Sequence, residues 1–153
     1  MLGSAAWLAD AGEADAPIRA MINLDTFGTG PVSVDRRSTD ALACVAGQVA
    51  AAIGIPKKSS YLRQTMGDWG PFADRDIPVL NLNSLDRSAL RTVHTRRDRF
   101  AAVDQPALRD TWKLIMNLAL TLDEHLDELT DSGREDVVES GLPGSEVRAV
   151  GIE

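Results

Sequence analysis

The 153-residue sequence is poor in cysteine, histidine and aromatic residues: it has one cysteine and two histidines, and aromatic residues make up 5% of it. The single cysteine, Cys44, excludes a disulfide within the chain. It lies in the apolar run ALACVAGQVAAAIGI, so we predict a buried, unreactive thiol. No CxxC pair, HExxH helix, GxSxG elbow, Walker loop or GxGxxG turn is present in the sequence, so none of these common motifs identifies its chemistry.

Positive charge is also scarce. Lys and Arg number 16 against 23 Asp and Glu, which gives a net charge of −7. Nucleic-acid binding requires clustered basic residues that neutralise phosphates, so this composition argues against a nucleic-acid partner. Basic residues do occur in pairs, at Arg36-Arg37, Lys57-Lys58 and Arg96-Arg97, but acidic residues lie near each pair. We therefore expect no basic stripe.

Long hydrophobic runs are absent as well. No apolar stretch approaches the roughly 20 residues that span a bilayer, so we expect no membrane partner. The amino-terminal segment MLGSAAWLADAGEADAP has no basic region and only a short apolar run, unlike a secretory signal peptide. The default expectation is a cytoplasmic protein, and an export signal upstream of Met1 would overturn it.

What the sequence does contain, 44% apolar and 25% charged residues, is typical of one globular domain. Short apolar runs alternate with helical patterns. The run PIRAMINLD predicts a central strand buried on both faces, residues 32–34 predict a second strand, and IPVLNLN predicts another. This alternation predicts an α/β fold with a mixed, mostly parallel sheet flanked by helices.

Helical patterns lie between and after these strands. Residues 39–53 carry small apolar residues at helical spacing, with Ser38 or Thr39 as the N-cap. A closing helix follows its predicted cap, Asp104, and its predicted core-facing stripe consists of Leu108, Trp112, Ile115, Met116, Ala119 and Leu122. The later composition shifts to Gly, Ser and acids, so we divide the chain into an α/β domain over residues 1–129 and a loosely ordered acidic tail over residues 130–153.

Two residues near strand ends are candidates for chemistry. Asp25 ends the first apolar strand, and His94 lies in the polar connection after the strand that ends near Asn81. Ligands of open α/β sheets gather beyond the carboxyl ends of strands, and carboxylate and imidazole are both zinc ligands. Each residue also has a simpler interpretation, since Asp25 could only accept backbone hydrogen bonds in its turn and His94 could only be solvated. The other histidine, His125, is predicted to lie on a solvated helix surface.

Four segments, taken in order and spacing, carry a resemblance to a known family. They are MLGSAAWLAD, IRAMINLDTFGTG, MGDWGPFADRDIPVLNL and VHTRRDRFAAVD. Together they resemble the second half of the zinc exopeptidases of peptidase family twenty-eight, which includes bacterial leucyl aminopeptidases and has glutaminyl cyclases as structural relatives. The resemblance covers residues 1–105 and, with the closing helix, extends to residue 129.

The resemblance implies a site with two zinc ions that share a bridging aspartate. By motif position it assigns three pairs of residues: the metal ligands Asp25 and His94, one for each zinc; the supporting polar groups Asp68 and Asp98; and the lining of the substrate pocket, Thr26 and Val93. The implied reaction is metal-assisted hydrolysis of an amino-terminal peptide bond. Zinc lowers the pKa of a bound water in such sites, and a glutamate that is not a ligand takes the proton.

The chain also departs from the family pattern. The family's first histidine ligand, its bridging aspartate and its paired glutamates, which include the general base, all precede the segment that matches MLGSAAW, so we expect them upstream of Met1. Trp69 stands where the family often has histidine. With one ligand for each zinc, we expect weak or no zinc binding and no peptidase activity from this chain alone. The strand over residues 18–24 would then present an unpaired edge that invites self-association or a partner chain.

Four interpretations therefore stay open. The sequence is a fragment of a zinc aminopeptidase whose other ligands are encoded upstream, or it is a non-catalytic remnant that binds a partner through its open sheet edge. The third is a one-zinc enzyme like glutaminyl cyclase, acting on amino-terminal glutamine, and the fourth is an unrelated α/β domain. An in-frame upstream sequence with an HxD segment and a Glu-Glu pair would select the first.

Overall fold

A computed structural model describes five parts of the chain: residues 2–11, 18–56, 58–61, 67–86 and 88–131, with side chains described as far as residue 125. The closing helix continues to Asp131, two residues beyond the predicted domain boundary. The rest of the predicted acidic tail, residues 132–153, lies outside the described residues.

The described residues form an α/β fold, as predicted. Its elements, in chain order, are α1 (Leu2–Ala11), β1 (Met21–Asp25), β2 (Ser33–Asp35), α2 (Asp40–Ala52), β3 (Lys58–Ser60), α3 (Gly70–Ala73), β4 (Val79–Asn83) and α4 (Gln105–Asp131). Two short 3₁₀ turns, Ala89–Arg91 and Phe100–Ala102, interrupt the long connection between β4 and α4. No helix among the described residues is long and apolar enough to cross a membrane.

The four strands form one mixed sheet in the order β1-β4-β2-β3. Strand β1 is parallel to β4, β2 is parallel to β3, and only the β2–β4 pair is antiparallel. The sheet is therefore mostly parallel, as predicted. The apolar run of β1 predicted a central strand buried on both faces, but within the described residues this strand lies at the edge of the sheet, and its Leu24 side chain is 47% exposed. The edge position agrees instead with the unpaired edge that was expected from the departure from the family pattern.

The two faces of the sheet differ in chemistry, because side chains alternate along each strand. One face carries Val34, Leu80 and Leu82, which form the main core with the buried sides of α2 and α4. The other face carries a layer of buried polar side chains across the strands, namely Asn23, Ser33, Asp35, Ser60, Asn81 and Asn83. A smaller apolar cluster beside α1 and α3, built around Leu8 and Trp69, covers one end of this polar face.

Helix α4 packs with a different side than its hydrophobic pattern predicts. Its buried residues include Ala107, Thr111, Leu114, Leu118 and Leu122. Of the predicted stripe, Leu122 alone is buried, whereas Leu108 and Trp112 are 37% and 53% exposed. Polar residues occupy the core face because their side chains bond within the helix: the hydroxyls of Thr111 and Thr121 each donate to the backbone carbonyl four residues earlier, at 2.8 and 2.9 Å.

The start of α4 agrees with the prediction. The Asp104 carboxylate accepts a hydrogen bond from the backbone amide of Ala107 at 3.0 Å, which is the N-cap interaction that its position predicts. In α2, Thr39 occupies the N-cap position without a side-chain cap bond, and its hydroxyl instead accepts a bond from the Val79 amide at 3.0 Å. This bond joins the start of α2 to β4.

The burial predicted for Cys44 is wrong. Its side chain is exposed on α2. The buried residues of this helix are Leu42, Val45, Ala46, Val49 and Ala50, which recur at the spacing of one helical face. Cys44 falls between them, on the outward side, so the apolar run around it marked a helix with a small-residue surface and not a fully buried segment.

Candidate functional site

The strand ends singled out by the sequence lie at one edge of the sheet. Strands β1 and β4 are adjacent and parallel, and Asp25 is the register partner of Asn83. Both strands therefore leave the sheet in the same direction. The chain after β1 carries Asp25 and Thr26, and the chain after β4 leads to Val93, His94 and Asp98.

Three hydrogen bonds join these two loops. The Ser84 amide donates to the Thr26 carbonyl at 3.0 Å, and the Thr29 hydroxyl donates to the Ser84 carbonyl at 2.7 Å. At the far end of the second loop, the Asp104 amide donates to the Gly28 carbonyl at 2.8 Å. The loop that carries His94 is thus attached at both of its ends to the loop that follows Asp25.

Asp25 presents an exposed carboxylate at the strand end. Its Oδ1 accepts a hydrogen bond from the Thr26 hydroxyl at 2.9 Å. Thr26 has a φ of +52°, a left-handed backbone conformation that β-branched residues rarely adopt. The turn after β1 therefore holds a strained residue directly beside the predicted metal ligand, a pattern that is common at functional sites.

His94 has a similar backbone, with a φ of +61°, and its side chain is exposed. Its backbone amide donates to Asp98 Oδ2 at 3.2 Å, so the predicted supporting residue Asp98 does contact the His94 turn, through the backbone and not through the imidazole. The turn is held further by Thr95, whose hydroxyl donates to the Thr92 carbonyl at 2.6 Å.

Asp68 lies elsewhere. The Ser4 hydroxyl of α1 donates to Asp68 Oδ1 at 3.0 Å, which places this carboxylate beside α1, just before α3. A cavity of about 210 Å³ at the start of α4 is lined in part by Pro31, Ile55 and Asp110, and none of the predicted site residues lines it. The structure therefore places the other predicted residues in two loops that are bonded to each other at their ends, and places Asp68 beside a helix.

The donor types at this edge suit zinc, but their number does not complete a zinc site. Carboxylate oxygen and imidazole nitrogen are regular zinc ligands, and a catalytic zinc takes three protein ligands. The part of the chain that the structure describes contains no group of three or more His, Cys, Asp or Glu side chains that could hold a metal ion. We therefore assign no hydrolytic step to this chain alone.

One buried ion pair was missed by the sequence analysis. Asp35, 1% exposed, is bound in bidentate fashion by Arg37, whose Nε and Nη2 donate to its two oxygens at 2.9 and 2.7 Å. The hydrogen bond to Asp35 raises the pKa of Arg37. The guanidinium carbon also lies 4.9 Å from the ring centroid of Trp69, the residue that stands where the family often has histidine, and 5.7 Å from that of Tyr61.

The polar face of the sheet forms hydrogen bonds that lead toward Asp25. The Asn23 amide nitrogen donates to Asn81 Oδ1 at 2.8 Å, across β1 and β4. Further along the same face, Asn83 and Ser60 lie 3.2 to 3.3 Å apart through their polar atoms. Because buried polar groups are stable only when they are bonded, these pairs hold the strands that carry the candidate site in one register.

The basic pairs of the sequence differ in their surroundings. Arg37 is paired with Asp35. Arg96 and Arg97, by contrast, are exposed and form no ion pair among the described residues, and the neighbouring Asp98 accepts a hydrogen bond from the His94 backbone amide.

The described strands and helices form an open mixed α/β sheet, and the comparisons with known proteins identify the family of the chain. Residues 1–119 match the sequence model of peptidase family M28, and the chain belongs to that family. This confirms the resemblance found in the sequence.

One solved structure has the same fold. The crystal structure of LapA from Legionella is similar to this chain with a TM-score of 0.64 and 18% sequence identity, over 78% of this chain and 36% of LapA. The chain thus spans about a third of the length of LapA. No curated protein matches the sequence.

Proposed function

We propose that this chain is part of a zinc-dependent exopeptidase of family M28 that cleaves amino-terminal peptide bonds, and that it supplies one ligand to each of two zinc ions, Asp25 to one and His94 to the other. Membership of the family supports the reaction class. When bound, zinc supplies an activated water and polarises the scissile carbonyl.

The attachment of the two strand-end loops to each other is the observation that carries this proposal. The bonds between Ser84 and Thr26 and between Asp104 and Gly28 attach both ends of the loop that carries His94 to the turn that follows Asp25. Left-handed backbones at Thr26 and His94 persist only where the surrounding structure holds them, which is typical of residues kept for a site. Thr26 and Val93, next to the two proposed ligands, would line the substrate pocket.

The isolated chain is proposed to be inactive as a peptidase. Two ligands that go to different ions bind neither ion tightly, since zinc in catalytic sites takes three. No glutamate of this sequence matches the family's general base by motif position. We therefore expect no hydrolysis of aminoacyl p-nitroanilides by the purified chain with added zinc chloride.

Zinc titration of the isotope-labelled chain, followed by two-dimensional NMR, tests the ligand assignment. We expect weak binding, with shifts confined to amides near residues 25 and 94. Asp25→Ala and His94→Ala should each remove the shifts around their own position. The matched control is His125→Ala, which changes the other histidine on α4 and should leave both sets unchanged. Tight stoichiometric binding that survives His94→Ala would show that other residues hold the metal.

A second candidate function, a partner-binding module, is favoured by the edge position of β1. In the described sheet this strand pairs only with β4, and its Leu24 is 47% exposed. Open apolar edges invite pairing with another chain. Sedimentation at rising concentration should then show self-association that Leu24→Lys reduces, whereas Leu90→Lys, at a residue 46% exposed in the loop after β4, should not. A monomer at all concentrations would remove the self-association form of this candidate.

A further inference from the structure

The loop that contains His94 is a basic segment of an acidic protein. Four arginines, Arg91, Arg96, Arg97 and Arg99, lie within nine residues of a chain whose net charge is −7. All four side chains are exposed. We call residues 91–99 the arginine loop.

The acidic residues next to the arginine loop accept hydrogen bonds from groups other than its arginines. Asp86, the preceding acidic residue, uses its Oδ1 to accept bonds from the Ser88 amide, the Ser88 hydroxyl and the Ala89 amide, at 2.6 to 2.8 Å. Asp98 accepts the His94 amide. No arginine of the loop forms an ion pair among the described residues, so these guanidinium groups face solvent.

The backbone of the loop is folded into consecutive turns, which keeps the arginines close together. The Thr95 amide donates to the Thr92 carbonyl at 3.1 Å, and the Asp98 amide donates to the Thr95 carbonyl at 3.0 Å. The Arg99 side chain donates through Nε to the Arg96 carbonyl at 2.7 Å. A ligand would therefore meet several guanidinium groups on one ordered segment, next to His94.

We propose that the arginine loop binds acidic peptides and that it sets a preference for aspartate or glutamate near the scissile end of the substrate. The proposal deepens the function proposed above and rests on it for the position of His94 in the site. Planar guanidinium groups bind carboxylates through two parallel hydrogen bonds, so the carboxylate side chains of aspartate and glutamate are suitable ligands for the arginine loop. The exposed Phe100, 83% accessible beside Arg99, offers apolar contact to the same peptide.

A peptide fits this surface better than a nucleic acid does. Phosphate-backbone binding requires a basic stripe that follows a long polyanion, whereas the basic surface here is one short loop. The remainder of the chain carries an excess of acids, which repels an extended polyanion but leaves room for a short peptide with one or two carboxylates.

Fluorescence anisotropy of labelled octapeptides, measured on the full chain, tests the proposal. The probes are a glutamate-containing peptide, the same peptide with glutamine in place of glutamate, and a single-stranded oligodeoxynucleotide of eight bases. We expect the glutamate peptide to bind best. Its affinity should fall steeply when the salt concentration rises above about 0.1 M, where the screening length is about 10 Å.

Two double variants separate the loop from overall charge. Arg96→Gln with Arg97→Gln removes two loop charges and should weaken binding of the glutamate peptide about tenfold, as expected for two exposed carboxylate contacts. Arg36→Gln with Arg109→Gln removes two charges elsewhere and should change the affinity by less than about twofold. Equal effects of both variants, equal binding of the glutamine peptide, tighter binding of the oligonucleotide, or full competition by millimolar inorganic phosphate would each overturn the proposal.

Peptide anisotropy and the zinc titration described above, both carried out with His94→Ala, distinguish this inference from the proposed zinc role. If zinc binding does not depend on Asp25 or His94 while the glutamate peptide still requires Arg96 and Arg97, the metal assignment fails and the arginine loop stands as an acidic-peptide surface. If zinc binds as proposed and the peptides are not discriminated, the arginine-loop inference fails alone.

Discussion

Gly28 is the residue at which the loop after β1 meets the chain that follows the arginine loop, so replacing it with alanine perturbs the junction between the two halves of the candidate site. Gly28 has a φ of +83°, and a Cβ added there would lie 2.9 Å from Cγ1 of Val103. The left-handed backbone alone costs an alanine about 1–2 kcal/mol. Overpacking against a stiff valine adds about 1–3 kcal/mol, so we expect Gly28→Ala to lower the free energy of unfolding by about 3 kcal/mol.

Gly54→Ala is the matched control for this substitution. Gly54 also has a left-handed backbone, with a φ of +70°, but a Cβ there meets nothing within 4 Å. It should therefore show the backbone cost of about 1–2 kcal/mol and no contact cost. Val103→Ala in the Gly28→Ala background should restore part of the lost stability, because it removes the atom that the new Cβ meets.

Urea unfolding followed by tryptophan fluorescence measures the unchanged protein, Gly28→Ala, Val103→Ala and their combination as one double-mutant cycle, with Gly54→Ala measured beside them. A Gly28→Ala variant no less stable than Gly54→Ala, with no coupling to Val103, would refute the close junction and with it the attachment of the two loops. The variant should also shift NMR signals around His94, because the Asp104 amide that bonds the Gly28 carbonyl ends the same connection.

Three further predictions concern carboxylates. Asp104→Ala removes the N-cap of α4 and should lower the free energy of unfolding, measured by urea denaturation, by about 1 kcal/mol, while Asp104→Ser should retain most of that stability. Asp35→Ala should cost about 3 kcal/mol in the same assay because it leaves the partly buried Arg37 uncompensated, and removing both partners should cost less than removing Asp35 alone. The Ser88 hydroxyl, as a hydrogen-bond donor, lowers the pKa of Asp86 below its ordinary value. Its stabilising effect should be complete above the unfolded pKa of about 4 and lost as the pH falls through the lower folded value, so thermal melts of Asp86→Asn and the unchanged protein should differ at neutral pH and converge at low pH.

The strands and helices were predictable where local pattern decides them. The short apolar runs at Met21–Asp25 and Val79–Asn83 are strands, and Asp104 caps α4. The predictions that failed concern how a strand or helix lies against its neighbours in the fold. The edge position of β1 depends on which strands lie beside it, which its apolar run does not encode, and it was expected from the family pattern only. The orientation of α4 depends on Thr111 and Thr121, whose hydroxyls bond within the helix and so allow a polar residue to face the core.

The direction of the two strand ends was predictable from the sequence. Asp25 and the His94 loop were expected at one edge of the sheet, and the parallel pairing of β1 with β4 directs the chain after both strands to that edge. The ligand roles of Asp25 and His94 stay predictions. The left-handed backbones at Thr26 and His94 have no sequence signature, because neither residue is glycine. The Asp35–Arg37 pair was missed since its setting includes Trp69, more than thirty residues away in the chain, and local charge spacing alone gave no reason to select it.

The bonds that shape the candidate site have a consequence for how it would be completed. Three hydrogen bonds between described residues join the Asp25 and His94 loops. If these bonds suffice to shape the loops, a segment or partner that completes a zinc site would contribute ligands without having to order them. Under that interpretation, zinc affinity should rise when a partner supplies ligands, while the NMR signals around Thr26 and Asp98 change little. Large rearrangement of those signals on completion would show instead that the loops are shaped by what binds them.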